Sequence, residues 1–201
     1  MSKIIFTLLV SLFSTTLLAK SIVILGDSIS AGFGIDEKKG WVALLQEKLD
    51  KEKLPFTIYN ESISGDTTAG GLARIDQALA KHKPEWLLLE LGANDGLRGL
   101  SPKKMKSNLA EIIKRSQQAG AQVILLSMRI PPNYGKRYEE MFYNTYPQLA
   151  RELKITFVPF ILEDIALVKG MMQQDGLHPN AKAQPLITDK IWQYVGSLIR
   201  K

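Results

Sequence analysis

The chain has 201 residues, 45% hydrophobic and 23% charged, with a formal net charge of +6 and no cysteine. That balance fits one ordinary globular domain and excludes a disordered, collagen-like or coiled-coil chain. The missing cysteine excludes disulfides, thiol nucleophiles and cysteine-ligated metals, and two histidines, His82 and His178, are too few for a three-histidine zinc centre.

At the amino terminus, Lys3 precedes an apolar run from Ile4 to Val10, continued by Leu12, Phe13, Leu17 and Leu18 and closed by the small residue Ala19. The pattern predicts an export signal over residues 1–19, ahead of a single domain at 20–201. An uncleaved amino-terminal anchor is the alternative, since the run is short and broken by serines and threonines. No later stretch has the eighteen continuous apolar residues of a membrane span. The lysines and arginines are spread along the chain and are not interleaved with aromatics, which argues against nucleic acid and for general attraction to anionic surfaces, including peripheral contact with anionic lipid.

Beyond the signal, short apolar runs alternate with segments of helical period. The runs are Ser21 to Leu25, Phe56 to Tyr59, Trp86 to Leu91, Val123 to Leu126 and Ile155 to Val158. Between them, Trp41, Leu44, Leu45 and Leu49 keep a helical spacing, as do Leu72, Ile75 and Leu79, then Met105, Leu109, Ile112 and Ile113. A last helix is expected from near Asn180 through Ile187, Ile191, Val195 and Ile199. Strands apolar on both faces, each followed by a helix, predict an α/β protein: a three-layer α/β/α sandwich around a parallel sheet of about five strands.

In such a sheet, ligands bind beyond the carboxyl ends of the strands. The turns there read Gly26-Asp27-Ser28-Ile29-Ser30, Ser62-Ile63-Ser64-Gly65-Asp66 and Gly92-Ala93-Asn94-Asp95, and a late block reads Asp175-Gly176-Leu177-His178. Ser28, at a strand-to-helix turn, can attack a carbonyl once a base takes its proton. Asp175, three residues before His178, can hold one imidazole nitrogen and leave the other for Ser28. His82, in Lys81-His82-Lys83-Pro84, reads as the polar end of a helix, structural or solvated. An acyl-transfer intermediate needs fixed donors for its oxyanion, and the Ser28 N–H, the Gly65 N–H and the Asn94 amide are the candidates. Taken singly, each of these is more often a cap or a turn residue.

Together the four blocks resemble the SGNH, or GDSL, family of serine hydrolases, over essentially all of the chain after the signal. The resemblance implies a flavodoxin-like fold, Ser28 as nucleophile, Gly65 and Asn94 with Ser28 as the oxyanion hole, and Asp175 with His178 as the remainder of a triad. Ile29 replaces the leucine that gives the motif its name. The similarity is greatest to the family's periplasmic acyl thioesterases, lysophospholipases and arylesterases, through Leu25 to Gly32, Ser62 to Thr67, Leu91 to Gly99 and Pro132 to Gly135. There Ala93 takes the place of a glycine, with a slight stiffening of the loop as the expected result. The resemblance implies small acyl esters or thioesters as substrates, and the chain is expected to need no cofactor or metal and to be a monomer.

The alternatives are a carbohydrate O-acetylesterase using the same residues and a non-catalytic flavodoxin-like binding module. A Gly-x-Ser-x-Gly elbow and a phosphate-binding loop are both absent from the sequence. The acyl group is expected against Leu97 on a loop freed by Gly96 and Gly99, and against Ile130, Pro131 and Tyr134 on the next strand-end loop, the alternative being that Leu97 and Ile130 pack the core.

Overall fold

The computed structural model describes residues 20–200, so the expected export signal at 1–19 lies outside the described residues. Strand β1 (Lys20–Gly26) passes through Asp27 into one helical turn, α1 (Ser28–Ala31), then α2 (Trp41–Lys51) and β2 (Phe56–Asn60). Helix α3 (Thr68–His82) leads to β3 (Trp86–Glu90), the short α4 (Ala93–Leu97), α5 (Pro102–Gln118) and β4 (Gln122–Leu126). The chain closes with α6 (Lys136–Leu153), β5 (Thr156–Val158), a long irregular segment and α7 (Gln184–Ile199).

The five strands form one parallel sheet in the order β2-β1-β3-β4-β5. Helices α3, α5 and α6 pack in a row on one side, and α2 pairs with α7 on the other. That double cover explains why the central strands carry no polar face. Ile22 to Leu25 and Leu87 to Leu89 are wholly buried, and each such side chain removed from water contributes about 1.5–3 kcal/mol. The strand order reverses between β1 and β3, so their following turns diverge and leave a crevice at the carboxyl edge, the switch point of such sheets.

Two helices differ from expectation. Helix α7 starts at Gln184 and not near Asn180, because the Asn180 amide donates to the Gly170 and Met172 carbonyls and its Oδ1 accepts from Lys182 N, holding a turn there. Pro185 suits the first helical turn, where no N–H is needed. Helix α6 is not among the expected helices, although Phe142, Tyr146, Leu149 and Leu153 keep a helical spacing. It is polar overall and contains Pro147, yet buries Phe142, Tyr146 and Leu149, and that tertiary packing outweighs its weak intrinsic preference.

Candidate active site

Asp27 caps α1 by accepting from Ile29 N at 3.1 Å, which makes Ser28 the first helical residue at the end of β1. The Ser28 hydroxyl lies 2.9 Å from His178 Nε2, and His178 Nδ1 lies 2.6 Å from Asp175 Oδ2. A carboxylate can only accept, so Nδ1 carries the ring proton and Nε2 faces the serine hydroxyl with its lone pair. Asp175 Oδ1 also accepts from Leu177 N at 2.9 Å and His178 N at 3.0 Å. These contacts, the His178 N–H foremost, hold the carboxyl down at about 2.

The segment bearing this histidine has no long element to fix it, and side chains do the work instead. Gln173 Nε2 donates to Phe33 O at 2.7 Å and Pro179 O at 3.1 Å, while Gln173 N donates to His178 O at 2.8 Å. One residue thus ties the segment after α1 to the histidine turn. The Phe33 ring packs on the imidazole, with centroids 4.6 Å apart.

Of the expected oxyanion donors, Asn94 is the second residue of α4, and its Nδ2 donates to Asp27 Oδ2 at 3.1 Å, which leaves its second amide hydrogen for another acceptor. Gly65 sits in the turn after β2 with φ +80, a conformation that favours glycine. Among the described residues, neither Ser28 N–H nor Gly65 N–H donates to a protein acceptor. The Gly65 turn is pinned from two sides. Arg98 donates to the Gly65 carbonyl at 2.7 Å, and Arg74 binds Asp66 Oδ2 at 2.8 Å and the Glu61 carbonyl. Ala93 opens α4 with a negative φ, a position where its methyl group brings no strain.

Several of the neighbours prove structural. Asp95 is buried and accepts from Thr68 N at 2.8 Å and Thr68 Oγ1 at 2.6 Å, capping α3. His82 ends α3 as expected, yet its side chain is only 7% exposed, bonded to Glu61 at 2.5 Å and stacked on Tyr59, so the solvated alternative is excluded.

Two residues of the acyl-binding expectation lie in the packed core. Ile130 is 4% exposed and belongs to the core beneath Gly96, so it presents almost no surface to a ligand. Gly96 itself lies against Ile130 and Phe142 with no room for a side chain, so it serves close packing and not loop mobility. Gly99 has φ +65 with open space around it. Leu97 and Pro131 are half-buried, and the Tyr134 hydroxyl donates to the Leu97 carbonyl at 2.8 Å, joining the two loops.

Sequence reasoning passed over Asp27, Glu90 and Gln173 as site residues. Asp27 is 1% exposed, and burial, partly offset by its donors and by His178, pushes its carboxyl up to about 6. Glu90 could have been noticed as the one acid ending an otherwise apolar strand. Among the described residues, no cluster of His, Asp and Glu is arranged to hold a metal ion, and no helix is long and apolar enough to cross a membrane.

The GDSL-like Lipase/Acylhydrolase family matches residues 24–185, a span that contains every residue of this arrangement. "Esterase TesA" of Pseudomonas aeruginosa is 46% identical over 181 residues, 90% of each chain. "Thioesterase 1/protease 1/lysophospholipase L1" of Escherichia coli K12 is 44% identical over 171 residues, 85% of this chain and 81% of that one. Among solved structures, the psychrotrophic esterase EstA from Pseudoalteromonas sp., inhibited by monoethylphosphonate, superposes with a TM-score of 0.87 at 44% identity, covering 90% of this chain and all of that one. Architecture, strand-end geometry and relatives agree, and the chain belongs to the GDSL-like lipase/acylhydrolase family.

Proposed function

We propose that the protein is a serine esterase and thioesterase that acts through an acyl-enzyme on Ser28. The observation that carries the reading is the continuous contact from Asp175 through His178 to Ser28, at 2.6 and 2.9 Å, beyond the carboxyl end of β1. His178 Nε2 takes the hydroxyl proton as Ser28 Oγ bonds to the carbonyl carbon, and the carbonyl oxygen becomes an oxyanion held by Ser28 N–H, Gly65 N–H and the Asn94 amide. The carbon–sulfur or carbon–oxygen bond then breaks, and the leaving group receives the proton from His178. Water, deprotonated by the same nitrogen, releases the acid and restores Ser28. Asp175 keeps the imidazole in the required tautomer.

Small acyl esters and thioesters, including acyl-CoA, lysophospholipids and aryl esters, are the substrates this reading assigns, with Leu97, Pro131 and Tyr134 beside the acyl group. A monomer exported by residues 1–19 to the periplasm or out of the cell, meeting anionic lipid peripherally through its positive charge, completes it. A fluorophosphonate probe should label wild-type protein on Ser28 and fail to label Ser28→Ala. Label on another residue would overturn the assignment. A panel of p-nitrophenyl esters of graded length, with acyl-CoA and a lysophospholipid, separates this activity from a carbohydrate O-acetylesterase, which would accept acetate alone.

A further inference from the structure

An acid that the proton relay does not use lies directly beneath the nucleophile turn. Glu90 ends β3 in register with Gly26 of β1 and is wholly buried. Its Oε2 accepts the Ser30 hydroxyl at 2.6 Å and the Asp27 N–H at 3.3 Å. A Cβ on Gly26 would stand 2.8 Å from the same oxygen, so the carboxyl occupies the space a side chain at 26 would need. Glu90 Oε1 has no partner among the described residues.

The surrounding groups decide the charge of this acid. Asp27 faces it from the end of β1, and Tyr146 of α6 is buried beside it with its hydroxyl donating to Leu91 O at 3.0 Å. Asp95 of α4 is committed to Thr68. Arg74 of α3 reaches the Gly26 carbonyl at 3.3 Å, but Asp66 takes up its charge at 2.8 Å. His178 acts on Asp27 from the far side of Ser28. Two acids and a phenol thus share a buried site, with no unpaired cation against them among the described residues, where two negative charges cannot both be held. Burial and the Asp27 charge push Glu90 well above the usual carboxylate range.

Asp27 is the hinge of the arrangement. Its carboxyl accepts from Ile29 N at 3.1 Å and from Asn94 Nδ2 at 3.1 Å, while its own N–H donates to Glu90 Oε2 at 3.3 Å. A carboxylate only accepts, so it selects the NH2 end of the Asn94 amide and rejects the flipped rotamer that would offer oxygen to an oxyanion. We infer that Glu90 is a positioning residue for acyl transfer: as a neutral acid it donates to Asp27, and Asp27 in turn keeps the Asn94 N–H aimed where the oxyanion forms. The inference rests on the acyl-hydrolase reading for its consequence, though the protonation of Glu90 does not.

The experiment has two arms. Infrared spectroscopy in heavy water at neutral pH should show a protonated carboxylic C=O stretch in wild-type protein that disappears in Glu90→Gln. Its absence from the wild type, or its persistence in the variant, would overturn the inference whatever the substrate. In the kinetic arm, Glu90→Gln should keep kcat within about threefold, whereas Glu90→Leu should lower kcat about tenfold to a hundredfold with KM little changed. Equal damage by both variants would mean that an ionised Glu90 is required. A double-mutant cycle tests the route: in an Asn94→Ala background the Glu90→Leu loss should shrink to less than about twofold. A loss that persists there would leave Glu90 a core residue and no more. Should Glu90→Leu not fold, Asp27→Leu takes its place in the cycle, with Glu90→Gln as the isosteric control. Should every ester fail as substrate, the rate of phosphonate labelling of Ser28 replaces kcat.

Discussion

Two aspartates of the site, Asp27 and Asp175, have opposite environments. Asp27 stands at the carboxyl end of central strand β1, 1% exposed, and burial pushes it up to about 6. Asp175 lies on an irregular loop, its side chain 39% exposed, and backbone donors led by His178 N–H hold it down at about 2. The nucleophile half of the site is therefore built by the sheet, and the base half by side-chain-to-backbone bonds that make a loop behave as an element. Precision is inherited from packing in one half and assembled from hydrogen bonds in the other.

The sharpest break of that comparison is at the junction of the halves. Removing either side of the 2.9 Å contact, by Ser28→Ala or His178→Ala, should cost at least about a thousandfold in kcat, and the double variant little more, since the two act as one unit. His82→Ala should instead leave kcat within about twofold and lower the melting temperature, because it loses Glu61 and the Tyr59 stack. Steady-state kinetics with differential scanning calorimetry separates the two outcomes, and a catalytic loss at His82 would refute the division of roles. On the sheet side, Asn94→Ala should lower kcat about a hundredfold to a thousandfold with KM little changed. A change confined to KM would place Asn94 in substrate binding. On the loop side, Gln173→Ala removes two bonds that tie Phe33 to the histidine turn, and should lower kcat about tenfold without unfolding the protein. Unaltered kcat would mean that Asp175 alone orients His178.

The halves were not equally legible in the sequence. The strands announced themselves through runs apolar on both faces, and the turns after them through Gly26-Asp27-Ser28 and Gly92-Ala93-Asn94. Asp175 and His178 were readable because three residues separate them. Glu90 stood out only as an acid ending an apolar strand, and its meeting with Asp27 depends on the β1–β3 register, which pairs residues 64 apart. Ile130 carries a related lesson: on its loop it reads as available, yet it joins the core cluster that also holds Phe142 of α6.

Stability against pH sharpens the comparison with opposite signs. Asp175 has its folded value lowered, so its contribution is present above the unfolded value of about 4 and fades as pH falls toward 2. Asp27 has its value raised, so the folded state holds a proton that the unfolded state has lost, and stability declines as pH rises from about 4 through 6. Relative to wild type, Asp27→Asn should therefore gain melting temperature between pH 4 and pH 7, whereas Asp175→Asn should show its full deficit above pH 4 and lose it toward pH 2. The pH-dependent difference is the readout, because the loss of contacts is common to all pH values. Parallel curves for the two variants would contradict the contrast.

The smallest expected effect lies where the two kinds of loop meet. Leu97 ends α4, half-buried, with its carbonyl held by Tyr134 across the crevice at 2.8 Å. Its side chain has two possible uses, packing under the loop or lining the path of an acyl chain. Burial of each methylene contributes about 0.8 kcal/mol, so a chain lying against Leu97 should gain severalfold in kcat/KM for every two carbons until the groove is full. Leu97→Ala removes contact surface that only a long chain reaches, and acetate never touches it. Long-chain esters should then lose severalfold in kcat/KM while acetate stays within about twofold. A packing role predicts the same loss for both lengths, together with a lower melting temperature, because a cavity beneath α4 disturbs the neighbouring Asn94 whatever the substrate. Tyr134→Phe divides the cases further, since it releases the Leu97 carbonyl and leaves the leucine surface intact. If the latch sets the position of Leu97, this variant should blunt the chain-length preference as Leu97→Ala does; if side-chain area alone matters, the preference should survive.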